Sequence, residues 1–205
     1  MSVDAKTIFK EVARSVANLL AGYGFQKRSL KFVRKFDDGD VVSLIELQRS
    51  RRSTSEQLLF VINYGVVVPR LYLGFDLTKP EYSECHWGRR VSDEQDKEIW
   101  WPVGAGDDVE SVAARVRAAI QDQALPALDS KQRVEDLIAL WKTGQGRGLS
   151  EMQRLRSLGI LLHDAQRRDE FEEVKAEVKR SAREEFGLRV LEELEALDGR
   201  RDELG

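Results

Sequence analysis

The residue types able to do covalent or metal chemistry are few. The single cysteine, Cys85, stands beside His86, and the only other histidine is His163. Neighbours on a strand point to opposite faces, so Cys85 and His86 make a poor joint site. Zinc needs roughly three to four protein ligands, and a cysteine nucleophile needs a base within hydrogen-bond reach. The sequence signals neither, and no metal or cofactor is expected. GQGRG at 144–148 has the look of a phosphate loop. It lacks the Gly-Lys-Ser/Thr ending and follows a helical pattern, not a strand, so it is set aside. Carboxylates are plentiful, but no spacing selects a catalytic pair.

What remains is chemistry of recognition. LLFVINYGVVVPR, residues 58–70, is the most apolar stretch of the chain, and Asn63 sits inside it. A buried amide without partners costs about 1–3 kcal/mol, so protein, water or ligand must satisfy it. Gln48 belongs to the preceding strand-like run. If the two strands are neighbours, both amides lie near one end of a sheet beside Ser50 and a polar loop. They either tie that loop to the sheet or floor a ligand pocket.

Two further groups compete with this pair. Lys27, Arg28, Lys31, Arg34 and Lys35, then Arg49, Arg51 and Arg52, form a basic cluster interleaved with Phe25, Phe32 and Phe36. Phosphates attract such cations and bases stack on aromatic rings, which makes this the candidate nucleic-acid surface. Strand alternation instead places Phe32 and Phe36 on one face as core, and the acids at 37, 38, 40 and 46 offset about half of the charge. Trp87, Trp100 and Trp101 are three of the four tryptophans. They either seal the core beneath an irregular loop or, with Arg89 and Arg90, form a binding patch of the hot-spot type.

The elements that position these residues follow from periodicity. The chain has 205 residues, 41% apolar and 34% charged, which suits one domain with an appendage. A net charge of −3 gives no general drive toward nucleic acid or an anionic membrane. One cysteine excludes an internal disulfide, the N-terminus has no signal-peptide pattern, and no run approaches a membrane span, so the cytoplasm is the expected location. A helix is predicted from Asp4 to Ala21, with Ile8, Phe9, Val12, Val16, Leu19 and Leu20 as its stripe and Gly22 and Gly24 as its stop. The runs 31–36, 41–48 and 58–68 read as strands, with DDGD at 37–40 as a hairpin turn. LYLGFDL and ECHWGRRVS are candidates for a fourth and a fifth strand. WWPVGAGDD reads as an exit loop, with Asp107 or Asp108 capping a helix from Val109 that Pro126 ends or restarts.

Helices are then predicted over 130–142, from Ser150, over Arg168 to Phe186, and beyond Gly187, with TGQGRG at 143–148 as a linker. The fold class expected is therefore α+β: an antiparallel four- to five-stranded sheet flanked by helices, residues 1–143, with an all-helical C-terminal extension over 149–205.

Several of these residues also occur as a set. Gly24 and Phe25 before a basic strand, Gln48 and Ser50 after the second strand, and Asn63 and Gly65 closing the third are followed by Arg89 and Arg90, then Trp100 and Trp101. Over about residues 5–130 this order resembles the bacterial domain of unknown function 4304 family. The arginine segment departs from the family's R-I-G, since RRVS puts serine where glycine would stand. The resemblance implies the fold and brings no activity.

The expected function is a non-catalytic binding or protein-interaction module. Its candidate ligand-binding residues are Gln48, Ser50, Asn63, Trp87, Arg89, Arg90 and Trp101, and an immunity-type role against a protein toxin is an analogy compatible with it. The alternative is a nucleic-acid-binding protein using the basic hairpin 27–52, and the third class is an enzyme of unrecognised type.

Overall fold

Asp4 starts the first helix, α1 (Ala5–Ala21), by accepting the Thr7 N–H at 3.0 Å and the Thr7 hydroxyl at 2.7 Å. These and all later coordinates come from a computed structural model, which describes residues 3–36, 40–54, 56–72, 76, 79 and 81–202, with side chains as far as 198. The apolar stripe of α1 buries Ile8, Phe9, Val12, Val16 and Leu20. Gly24, at φ +80°, turns the chain so that the Phe25 N–H reaches the Leu20 carbonyl at 3.0 Å.

Six antiparallel strands follow: β1 (Gln26–Arg28), β2 (Lys31–Lys35), β3 (Val42–Arg49), β4 (Gln57–Val67), β5 (Trp87–Arg90) and β6 (Trp101–Gly104). The strand β4 is the axis. Its residues 60–67 pair with β3 on one side, while on the other β5 takes Asn63–Val66 and β6 takes Gln57–Phe60. From Trp101 onward the WWPV segment is therefore a strand and not the exit loop its irregular sequence suggested. Pro102 is tolerated because β6 is an edge strand, with a ladder on one side only. Of the other sequence expectations, DDGD and LYLGFDL fall largely outside the described residues, and Leu71 lies in a short 3-10 turn, Pro69–Leu71.

Alternation divides the sheet into two faces. On the first, Phe32, Ile45, Leu47, Phe60, Ile62, Tyr64 and Val66 are buried, and Phe9 of α1 meets the Phe60 ring at 5.1 Å between centroids. On the second, Val33, Val42, Leu44 and Val67 form a smaller cluster under Cys85 and Tyr82. The segment carrying these two residues lies flat because Gly65 and Gly88 face each other in register. A methyl on Gly65 would come 2.5 Å from the Trp87 carbonyl and 2.8 Å from Cys85 Sγ, and one on Gly88 would come 2.7 Å from the Tyr82 hydroxyl.

Asp108 caps α2 (Val109–Ala119) by accepting the Ser111 N–H at 2.8 Å. A π-helical turn, Ile120–Ala124, then leads into α3 (Leu125–Asp129). Pro126 has no N–H to offer back, and the widened turn just before it accommodates that loss.

The chain divides into two compact units, Met1–Gln132 and Arg133–Gly205. Helix α4 (Val134–Lys142) thus groups with α5 (Glu151–Asp164), α6 (Arg168–Ser181) and α7 (Glu185–Asp202), ahead of the glycines at 144–148. Arg154, 4% exposed, explains the grouping: it pairs with Glu151 at 2.5 Å and donates to the carbonyl of Trp141 at the end of α4. The expected break at Gly187 is shifted. Helix α6 stops at Ser181, and Gly187 lies in the first turn of α7, where a methyl would come 3.0 Å from Ala182 Cα.

Candidate functional site

Lys31, Glu46, Asn63 and Arg90 stand directly opposite one another on β2, β3, β4 and β5, so register alone sets them in a row across the second face. Asn63 is fully buried. Its Nδ2 donates to Glu46 Oε2 at 3.0 Å and to Gln48 Oε1 at 2.9 Å, and its Oδ1 accepts from Arg90 Nε at 3.0 Å. Both amide hydrogens and the carbonyl oxygen are used. The row is closed at its ends: Arg90 Nη1 pairs with Glu98 at 2.7 Å, and Lys31 Nζ with Glu81 at 2.6 Å. This polar row ties four strands and the 81–85 segment together and leaves no cation in it unpaired.

The other candidates do not join it. Arg89, Trp87 and Trp101 project to the first face, since consecutive strand residues alternate. Trp87 is 5% exposed against Tyr64, with Lys131 Nζ 4.1 Å above its ring. Trp101 is equally buried, stacked on Phe60 and approached by Arg115 at 5.6 Å. Arg89 is bound to Asp96 at 2.5 Å. Ser50 organises the turn after β3, accepting the Arg52 N–H at 3.1 Å and donating its own N–H to the Leu59 carbonyl at 2.7 Å.

Cys85 and His86 are both buried and serve separate ends. Burial pushes the Cys85 thiol far above its ordinary range and the Tyr82 hydroxyl beside it up to about 12. His86 Nδ1 accepts the Val68 N–H at 3.1 Å, which occupies its lone pair. Among the described residues no group of three or more His, Cys, Asp or Glu side chains is arranged to hold a metal. Nor is any helix among them long and apolar enough to cross a membrane.

The basic cluster separates into held and open members. Arg34 is sandwiched between the Phe25 and Phe36 rings, at 4.7 and 4.6 Å, and bound to Asp129 at 2.6 Å. Lys31 belongs to the polar row, and Arg28 leans on Gln26 at 3.0 Å. Lys35 and Arg52 are exposed, Lys35 beside a recess of about 130 Å³ that Arg28 also lines.

Lys27, Arg49 and Arg51 instead line two adjoining recesses of about 510 and 380 Å³, joined at Lys6 and Arg49. Lys10 completes the rim, and Phe9, Ala13 and Leu30 form the floor of the larger recess. None of these five cations makes an ion pair among the described residues. The one acid there, Asp4, is committed to Thr7, whose hydrogen bonds hold its carboxyl below the usual range. Lys6 and Lys10 escaped the sequence reading because they lie far from 27–52 along the chain. Their spacing of four on the predicted helix, flanking the buried Phe9, was the available signal.

With the geometry in view, the match to a family can be placed on it. The family described as Domain of unknown function (DUF4304) matches residues 16–130. That span holds the end of α1, the whole sheet, α2 and α3, the polar row, and Lys27, Arg49 and Arg51 of the groove. Helices α4 to α7 lie beyond it. No curated protein and no solved structure matches the chain. Because the match covers more than half of its residues, the chain belongs to the DUF4304 family.

Proposed function

We propose that the sheet unit is a non-catalytic binding module that engages an anionic partner in the groove between α1, the β1–β2 hairpin and the β3–β4 connection. The observation that carries this reading is the contrast in pairing: Lys6, Lys10, Lys27, Arg49 and Arg51 converge with no ion pair among the described residues and with Asp4 as the one carboxylate lining their recesses, whereas Lys31, Arg34, Arg89 and Arg90 are each neutralised. Like charges gathered in a concave wall repel one another and focus a positive potential, and a bound anion relieves that repulsion. The net charge of −3 does not oppose this locally, because charges beyond about 8 Å are screened at physiological ionic strength. The non-catalytic part of the reading is supported by the chemistry of the buried thiol: Cys85 is held in its protonated form, and His86 is bound to backbone.

Elution from a heparin matrix tests the reading. A Lys10→Glu, Arg49→Glu double variant should elute at clearly lower salt than the parent, and a Lys179→Glu, Arg180→Glu variant of α6, with the same net charge, should elute close to the parent. Equal shifts in the two variants would mean that net charge alone is at work and would sink the groove as the binding surface.

A further inference from the structure

Resting on that reading, we infer that the groove takes an acidic, amphipathic segment of a protein partner, with carboxylates on the cationic rim and apolar side chains on the floor. The groove is two-toned in the required way. Leu30, half-buried, is the apolar side chain open to the larger recess, with Phe9 and Ala13 buried beneath it and Leu58 buried beneath the smaller recess, while the five cations line the walls. Lys6 and Lys10 are separated by one helical turn, about 6 Å along the axis. That is close to the roughly 6.7 Å between alternate residues of an extended peptide, whose remaining side chains point the opposite way. A segment that alternates acidic and apolar residues therefore satisfies rim and floor together.

The same residues argue against a phosphate chain. Nucleic-acid strands are held by cations together with aromatic faces, and phosphates also draw on free backbone N–H groups and hydroxyls. Phe9, the groove's aromatic ring, is 4% exposed and packed at a tilt against Phe60, so it offers no face to a base. The N-terminus of α1 is occupied by its own Asp4 carboxylate, and the Thr7 hydroxyl donates to that carboxylate. The Ser53 hydroxyl is committed to the Ser50 carbonyl and the Leu59 N–H, and Thr54 Oγ1 to Gln57. What the groove leaves available is positive charge, the Ser50 hydroxyl proton and the apolar surface of Leu30, a single hydroxyl where a phosphate chain draws on several.

Fluorescence anisotropy with three labelled probes of equal charge decides the matter: a peptide alternating Glu and Val, the same peptide with Ser for Val, and an oligothymidylate. The Glu–Val peptide should bind about tenfold tighter than either of the others. Lys10→Glu with Arg49→Glu should remove that binding. Leu30→Ser should erase the preference over the Glu–Ser peptide without changing affinity for the latter, with thermal unfolding followed in parallel to confirm that the variant is folded. Equal binding of the two peptides, or tighter binding of the oligothymidylate that remains sensitive to Lys10→Glu, would overturn the acidic-segment inference and leave the groove as an anion site. Failure of all three probes, or binding indifferent to charge reversal, would overturn the groove reading as well.

Discussion

The polar row across β2–β5 and the groove beside α1 are built from the same residue types, yet they are in opposite states. In the row, each lysine or arginine meets a carboxylate or the buried amide, because the ladder register places Lys31, Glu46, Asn63 and Arg90 opposite one another. In the groove, cations from α1, β1, the end of β3 and the β3–β4 connection converge with no ion pair among the described residues and with Asp4 as their one acidic neighbour. The lesson is that charge alone does not mark a binding surface. A network whose donors and acceptors are all used is structural, and cations left without partners in a concavity are where an outside anion gains most.

The comparison is broken most directly at Asn63. Asn63→Ala removes three hydrogen bonds from a fully buried position and leaves Glu46 and Arg90 each short of a partner. A loss of about 3 kcal/mol in unfolding free energy by urea denaturation is expected. Heparin elution of the folded protein should be unchanged, and a drop there would mean that the row and the groove are one site. Gly65→Ala comes next, at about 2 kcal/mol, because its methyl would press on a backbone carbonyl and on Cys85. A neutral result would show that the 81–85 segment is not packed against the sheet as described.

On the groove side the signs reverse. Arg49→Ala should weaken anion binding several-fold while moving stability by less than about 0.5 kcal/mol, since no intramolecular partner is lost. A large fall in stability would place Arg49 among the structural cations instead.

The last effect is one of pH, absent at neutral pH and expressed only on the alkaline side. The Cys85 thiol is raised by burial above its ordinary 9.0, so the unfolded chain gives up this proton at lower pH than the folded one. The stability that burial of the neutral thiol contributes is fully present below pH 9.0 and declines as pH rises above it. The limiting slope is about 1.4 kcal/mol per pH unit for this one group. Denaturation midpoints of the parent should fall more steeply across that range than those of Cys85→Ala. Tyr82, raised from 10.0 to about 12, adds a decline of the same sign from pH 10.0 upward in both proteins.

Much of the architecture is legible along the chain. The stripe of α1, the alternation of 31–36 and the doubly apolar run of β4 are local periodicities, and each maps directly onto its element. The strand Trp101–Gly104 was not legible, because a proline and paired tryptophans carry no alternation, and only the free side of β4 gives Trp101 to Gly104 a ladder. For the site, the sequence required that Asn63 find partners and placed Gln48 near it. It did not separate Arg89 from Arg90, whose opposite faces follow from strand pairing, and it missed Lys6 and Lys10.

The sequence by itself determined which residues must be buried, which segments alternate, and that a lone amide in an apolar strand had to be satisfied, because burial and desolvation act residue by residue. Tertiary structure alone decided which charges were to be neutralised. A cation's partner is set by register and by which helix packs beside which hairpin, and Lys10 and Arg49, thirty-nine positions apart, share a groove only because the chain folds back on itself.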